Sequence, residues 1–300
     1  MRELSILNIK DVKHLCKHLG TSKKELDYIC RCIQNHYYQS KRTIKGKIRL
    51  LATPKDRLRE ILDRLQVLLQ RISLPDYIHG GRKGHSNITN AFPHIKKHTI
   101  INLDLKDFFP NIKYKRIYKV FFESLGCSPE VARYLTRLTT LNGSLPQGSP
   151  TSTILAALVG APLAKRVKSL VQIHHASYSQ YVDDITISGS QNIEYLIPTI
   201  KKIIKQEGFL INPAKIKVKN RCEEQIVTGV RVNNGIDAPR SKIKEASEQI
   251  EKIVTQAKSG VGNSRIPLIS TKGKINYIKQ LNKGAGRFLQ KRLYNSINIK

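Results

Sequence analysis

Acidic side chains are few in this 300-residue chain beside the basic ones: 22 Asp and Glu stand against 53 Lys and Arg, a formal net charge of +31. A folded chain tolerates that self-repulsion alongside a polyanion, and nucleic acid is the expected partner. Cysteine is also sparse. Cys16, Cys30, Cys32, Cys127 and Cys222 are odd in number and include no C-x-x-C spacing, which argues against a disulfide framework or a zinc site and leaves Cys30 and Cys32 as helix residues. Long apolar runs are missing as well. The longest, residues 154–164, is too short to span a bilayer, and the N-terminus lacks an apolar signal core, so the expectation is a cytoplasmic protein with no membrane partner. Gly 18 and Pro 12 exclude a collagenous or low-complexity chain, and 40% hydrophobic residues with a mean hydropathy of -0.35 describe a soluble globular protein of roughly two domains.

The charge is unevenly spread. Residues 1–100 carry +13, residues 101–200 only +3, and residues 201–300 +15. An RNA-coating protein tends to be basic throughout, whereas an enzyme acting on nucleic acid needs basic walls around a site whose own carboxylates hold metal. The balanced middle third fits the enzyme.

Periodicity places the elements. Ile6, Ile9, Val12, Cys16 and Leu19 recur at helical spacing, and Ser22 with Glu25 reads as a capping box that opens a second helix through Leu26, Ile29, Cys30 and Ile33. Residues 46–53 read as a strand broken by Pro54, and Leu58, Ile61, Leu62, Leu65, Leu68, Leu69 and Ile72 as a helix. Residues 79–94, rich in Gly, Asn and basic side chains, read as a loop able to approach phosphates. A strand is expected over 99–105, helices over 131–141, 153–170 (tolerating Pro162) and 193–206, and a turn-rich loop over 145–152. Residues 178–188 read as a hairpin whose tip carries Asp183 and Asp184. Asn233-Asn234-Gly235 after the apolar 227–232 run signals a further hairpin turn, and the chain beyond Pro239 looks helical and basic with a Gly-rich break at 259–263.

Asp104 at one strand end and Asp183-Asp184 at a hairpin tip are the candidate chemistry. A hard Mg²⁺ ion is usually held by a few carboxylates and completed by substrate phosphates. Two carboxylates at about 4 Å repel by roughly 4 kcal/mol at an effective dielectric of 20, so such a cluster calls for cations. Spacing alone leaves two readings open, because Asp-Asp is also ordinary turn chemistry and Asp104 could be a plain solvated strand end.

The wording around these residues decides between them. Asn102-Leu103-Asp104-Leu105-Lys106-Asp107-Phe108-Phe109-Pro110, then Leu145-Pro146-Gln147-Gly148-Ser149-Pro150-Thr151-Ser152, then Tyr181-Val182-Asp183-Asp184 resemble, in order, three core motifs of reverse transcriptases. The stretch Gly208-Phe209-Leu210-Ile211-Asn212-Pro213-Ala214-Lys215 and the upstream Lys47-Ile48-Arg49 extend the likeness over residues 46–232. Asn90-Ala91-Phe92-Pro93-His94 and Val227-Thr228-Gly229 resemble two signatures of the bacterial retron type. The familiar hairpin wording is Tyr-Ala-Asp-Asp, and here Val182 takes the Ala position.

That resemblance implies an α+β right-hand polymerase: an N-terminal helical region (1–45), fingers (46–98), a palm with inserted fingers elements (99–232) and a helical thumb (233–300). It implies two Mg²⁺ ions, with Mn²⁺ as an alternative, on Asp104, Asp183 and Asp184, with Lys215 as the acid that protonates departing pyrophosphate. Lys47 and Arg49 would clamp the triphosphate, Gln147 and Gly148 would lie along the incoming nucleotide, and Phe109 would exclude a ribose 2′-hydroxyl, the alternative being that Phe108 and Phe109 are both core. Arg82, Lys83, His85, Asn90 and His94 would contact RNA, and Val227, Thr228 and Gly229 would form a primer-grip region. The implied partners are a structured noncoding RNA serving as template and primer, its DNA product, dNTPs and a retron effector protein in antiphage defence. Fewer than seventy residues follow Val232, too few for a maturase region plus a nuclease module, and no RNase H module is recognisable. Another defence-associated or group II-like reverse transcriptase and a non-catalytic RNA-binding scaffold are the competing readings.

Overall fold

The computed structural model describes residues 7–44, 46–258 and 265–297. Near the N-terminus, α1 (Val12–Leu19) starts at Asp11, whose carboxylate accepts from the His14 N–H, and stops at Gly20, which adopts φ 63°. Next, α2 (Lys23–Arg31) is capped by Ser22, which accepts from the Glu25 N–H. The reciprocal half of the expected capping box does not form: Glu25 turns to Thr21 Oγ1 and to Arg57 on a later helix. The expected Ile6 position lies outside the described residues. The apolar spacing of both helices faces a shared interior through Leu15, Leu19, Leu26 and Ile29.

The strand expected near residue 46 is one arm of a hairpin. Its unforeseen partner β1 (Tyr37–Ile44) pairs antiparallel with β2 (Lys47–Pro54), Ser40 opposite Leu51 and Arg42 opposite Arg49. Then α3 (Asp56–Leu69) buries Leu58, Ile61, Leu62, Leu65 and Leu69 along one stripe. Residues 79–94 are not all loop: α4 (Asn87–Ala91) forms because Ser86 and Thr89 cap each other reciprocally, and a 3₁₀ turn over Phe92–His94 follows. Local side-chain caps outweigh the loop-like composition here.

After β3 (Thr99–Asp104), Asp107 at φ 46° turns the chain into the short α5 (Phe108–Asn111), followed by α6 (Tyr114–Lys119), a π-helical turn over Val120–Ser124, and α7 (Pro129–Thr139) capped by Ser128. The long α8 (Ser152–Ile173) carries Pro162 inside it and packs against β4 (Ser177–Tyr181). It buries residues nearly all round at its first half, as a helix between layers does. Strand β5 (Asp184–Gly189), helix α9 (Ile197–Gln206) and β6 (Lys217–Asn220) complete an antiparallel sheet of order β4-β5-β3-β6.

The expected hairpin over 227–235 is redrawn. The tight turn falls at Thr228-Gly229, both at positive φ (45° and 80°), between β7 (Ile226–Val227) and β8 (Val230–Arg231). Asn233 instead braces the loop, its Oδ1 accepting from Gln225 N–H and its Nδ2 donating to Glu223 O. Helices α10 (Arg240–Lys258), α11 (Arg265–Leu281) and α12 (Lys283–Ile297) end the chain; the expected break at 259–263 lies outside the described residues.

Two hydrophobic cores result. One runs from Ile9 to Phe209 and holds the N-terminal helices, the sheet and α8 together. The other joins Val227, Val230, Val232 and the last three helices to Ala91 and Ile100. The five cysteines are free thiols. Among the described residues no helix is long and apolar enough to cross a membrane.

Candidate active site

Carboxylates 79 positions apart in sequence meet because β3 and β5 are neighbours. Asp104 stands opposite Asp184 in the ladder, and one step on the Leu105 N–H donates to the Asp183 carbonyl at 3.0 Å. The hairpin tip is Val182-Asp183, with Tyr181 paired to Asp184 and Val182 held at φ 58°. Buried Gln180 supports that turn from below: its Nε2 donates to the Val182 carbonyl at 2.9 Å while its Oε1 accepts from the Tyr178 hydroxyl at 2.9 Å. Residues 77–79 add a parallel edge, His79 N–H donating to Gln180 O and Gln180 N–H to Tyr77 O, both at 2.8 Å. Gly80 then passes so close that a Cβ there would lie 2.4 Å from the Val182 nitrogen.

A second segment closes on the other side of Asp104. Lys106 N–H donates to Leu210 O at 2.7 Å and Asn212 N–H to Asp104 O at 2.9 Å, which brings Lys215 round so that its ammonium ion-pairs with Asp104 Oδ1. The Asp104 side chain is only 13% exposed, that of Lys215 39%. Opposite, the loop before α8 is tied to β2: the Ala52 N–H donates to Gln147 O at 2.7 Å, and Gly148, at φ 112°, would place a Cβ 3.0 Å from Ala52 O. Only glycine meets both conditions without strain.

These segments enclose a cavity of about 460 Å³ lined by Arg49, Asp104, Phe109, Gln147, Asp183 and Lys215. Phe108 is buried, 5.3 Å from the Phe209 ring, and Phe109 is partly buried against the same core; both border the cavity. Burial pushes the Asp183 carboxyl above its ordinary range, and the Asp104 charge adds to the rise while Lys215 and Arg49 oppose it. Among the described residues no group of three or more His, Cys, Asp or Glu could hold a metal ion. Asp104 and Asp183 therefore suit a hard divalent cation only as an incomplete oxygen set, one that phosphates and water would complete. Asp184, opposite Asp104 in the ladder, is exposed and is not among the residues that line the cavity.

The model of the reverse transcriptase (RNA-dependent DNA polymerase) family matches residues 39–253. The chain belongs to that family. Bacterial retron enzymes are among its relatives. It is 30% identical over 239 residues to the retron Se72 reverse transcriptase of Salmonella heidelberg (strain 579083-10), covering 76% of this chain and 63% of that one. It is 32% identical over 218 residues to the retron Mx65 enzyme of Myxococcus xanthus (66% of this chain, 51% of that one) and 29% over 235 residues to the retron Ec86 reverse transcriptase of Escherichia coli (74% and 73%). The chain thus spans between about half and two thirds of the length of the first two.

The residues expected to contact RNA or the primer are not among those that line the cavity. Lys47 lies in β2 opposite Ile44. Arg82 is pinned by its guanidinium to the Pro75 and Ile78 carbonyls at 2.8 Å, Lys83 is exposed, and the His85 ring lies 5.3 Å from that of His79. Asn90 and His94 correct the expectation that they contact RNA: both are fully buried. The His94 nitrogens sit 2.7 Å from Ser188 Oγ and 2.8 Å from Ser179 Oγ, and Asn90 Nδ2 donates to Thr228 Oγ1 at 3.3 Å. Burial and the positive Lys97 nearby push the His94 pKa down to about 3. Val227 is likewise buried, in the second core. Thr228 also accepts from Asn87 Nδ2, which bonds the Tyr277 hydroxyl on α11. The two retron signatures are therefore bonded to each other inside the protein. Gln39 and Asn212, which also line the cavity, and Gln180 beneath the hairpin tip were not foreseen as parts of the site. Asn212 falls within a quoted family stretch, whereas Gln180 has no signal beyond its place one strand-step before the tip.

Proposed function

We propose that this chain is an RNA-directed DNA polymerase, a nucleotidyltransferase that copies a structured noncoding RNA into single-stranded DNA as part of a retron. The observation that carries this reading is the convergence of Asp104 and Asp183 in one basic-walled cavity with Arg49 and Lys215. In this reading the β4-β5-β3-β6 sheet and α8 are the palm, the β1–β2 hairpin with the helices beside it the fingers, and α10–α12 the thumb.

Asp104 and Asp183 would hold two Mg²⁺ ions, or Mn²⁺, with Asp184 a charge beside them. Bound there, the ions supply charge neutralisation for in-line phosphoryl transfer from a dNTP to a primer hydroxyl. The chain's own groups align and hold. Arg49 pairs with triphosphate oxygens, a guanidinium matching phosphate geometry, and Lys47 on the same strand adds charge. Phe109 packs beneath the sugar, where a 2′-hydroxyl would clash. Gln147 and Gly148 border the base and template, the glycine allowing close approach. Lys215, held on Asp104 before substrate binds, donates its proton to the departing pyrophosphate, general-acid help worth roughly 10²–10⁴ in rate. Arg82, Lys83 and His85 line the path of the hybrid, and Thr228-Gly229 borders the primer. A branched RNA-DNA product, a companion effector and a role in antiphage defence follow from the retron reading.

Primer extension on an RNA template with Mg²⁺ and dNTPs tests the proposal. Asp183→Asn is expected to abolish DNA synthesis while changing RNA affinity less than about twofold, since one buried carboxylate contributes little to the surface field. Full activity in that variant rules out the assignment. Sequencing nucleic acid that copurifies with the protein should reveal a covalently branched RNA-DNA species.

A further inference from the structure

Two recesses lie between α2 and α7, have no role in the catalytic cavity, and are joined to it through the nearer one. The nearer, about 480 Å³, is lined by Arg31, Gln34, Asn35, Tyr114, Arg137 and Asn142, and Asn142 also borders the cavity that holds Asp104 and Asp183. The farther, about 610 Å³, shares Arg31, Tyr114 and Arg137 and adds Arg133 and Tyr134. They form one groove leading away from the carboxylates. None of Arg31, Arg133 and Arg137 forms an ion pair among the described residues, although all three are exposed. Two acidic side chains also line the far end, each with a partner: Asp27 accepts from the groove's own Tyr134 hydroxyl and Glu130 lies 3.5 Å from Lys23.

We propose that this groove takes the unpaired stretch of the RNA template before it reaches the catalytic carboxylates. The proposal rests on the polymerase reading above and names the strand's path. Arg133 and Arg137 are four residues apart on one helix, so they rise by roughly 6 Å along its axis, a step that suits successive phosphates of an extended strand. At the near end Gln34 Nε2 donates to Asn142 Oδ1 at 3.1 Å, which leaves the Gln34 carbonyl oxygen, the Asn142 amide nitrogen and the Asn35 amide for bases and 2′-hydroxyls, and Tyr114 and Tyr134 offer rings at the wall.

The test compares binding of a primer-template carrying an unpaired 5′ RNA overhang with binding of the same duplex without it, in the full chain and in the Arg133→Gln/Arg137→Gln double variant, across a salt series. Removing two phosphate contacts should lower the salt slope by roughly 1.4 for the overhang substrate, at about 0.7 per phosphate of a single strand. Affinity for that substrate should fall about tenfold in low salt while the blunt duplex is bound as before. An unchanged slope, or an equal loss on both substrates, overturns the groove. Primer extension by the unmodified chain, run alongside, separates the two ideas: an inactive protein that retains the overhang-specific slope discards the polymerase reading and keeps the groove.

Discussion

Val182 occupies a backbone conformation that β-branched residues rarely adopt, φ 58°, at the tip that presents Asp183. Three groups hold it there: the Gln180 amide on its carbonyl, the Gly80 backbone against its nitrogen, and the Tyr181–Asp184 pairing on either side. Gly80→Ala inserts a methyl group into backbone that cannot retreat. It is expected to cost about 1–3 kcal/mol of stability and to lower kcat by an order of magnitude or more with little change in dNTP KM, measured by thermal melting and steady-state extension. Phe109 borders the cavity and is also partly buried against the core, so Phe109→Ala should cost about 1–3 kcal/mol of stability. Ribonucleotide incorporation should rise roughly tenfold or more in a competition assay, the usual worth of shape exclusion in a pocket; unchanged sugar selectivity dismisses the gate.

At the scale of elements, the short α4 and the 3₁₀ turn after it form a brace. Through His94 they reach both strands of the carboxylate hairpin, and through Asn87 and Asn90 they reach the Thr228 turn and α11. His94 is neutral when folded, with its pKa depressed to about 3 from an ordinary 6.5. The unfolded chain therefore binds that proton first, so the stabilisation is complete above pH 6.5 and is lost as pH falls toward 3, by at most a few kcal/mol. Urea unfolding between pH 7 and pH 4 should show a steeper loss for the unmodified chain than for His94→Gln, which keeps polar partners for Ser179 and Ser188 without titrating. Parallel pH profiles deny His94 this role. Elements that local pattern does not announce depend likewise on contacts made at a distance or through side-chain caps. Strand β1 carries few apolar residues and depends on pairing with β2, α4 depends on a Ser-Thr cap exchange, and the turn at Thr228-Gly229 won over Asn233-Asn234-Gly235 because Val227, Val230 and Val232 are all needed in the second core.

Over the whole molecule, a net +31 spread on both sides of a nearly balanced centre makes a field that gathers nucleic acid before any specific contact forms. Affinity for the RNA partner should fall steeply with salt, about 0.7 to 0.9 log units per log unit of salt for each phosphate neutralised. Filter binding between 50 mM and 300 mM salt checks this, and a flat response contradicts it.

The sequence by itself determined the family, the charge, the helices with strong apolar periodicity and the identity of the cavity residues Asp104, Asp183, Phe109, Gln147 and Lys215, because short motifs and local patterns record those directly. Tertiary structure alone decided that Asp184 stays outside the cavity, that Asn90 and His94 face inward, and that Gln180 and Gly80 hold the hairpin tip. Each of those outcomes depends on which strand lies beside which, and pairing between segments far apart in the chain leaves no mark in the local pattern of either.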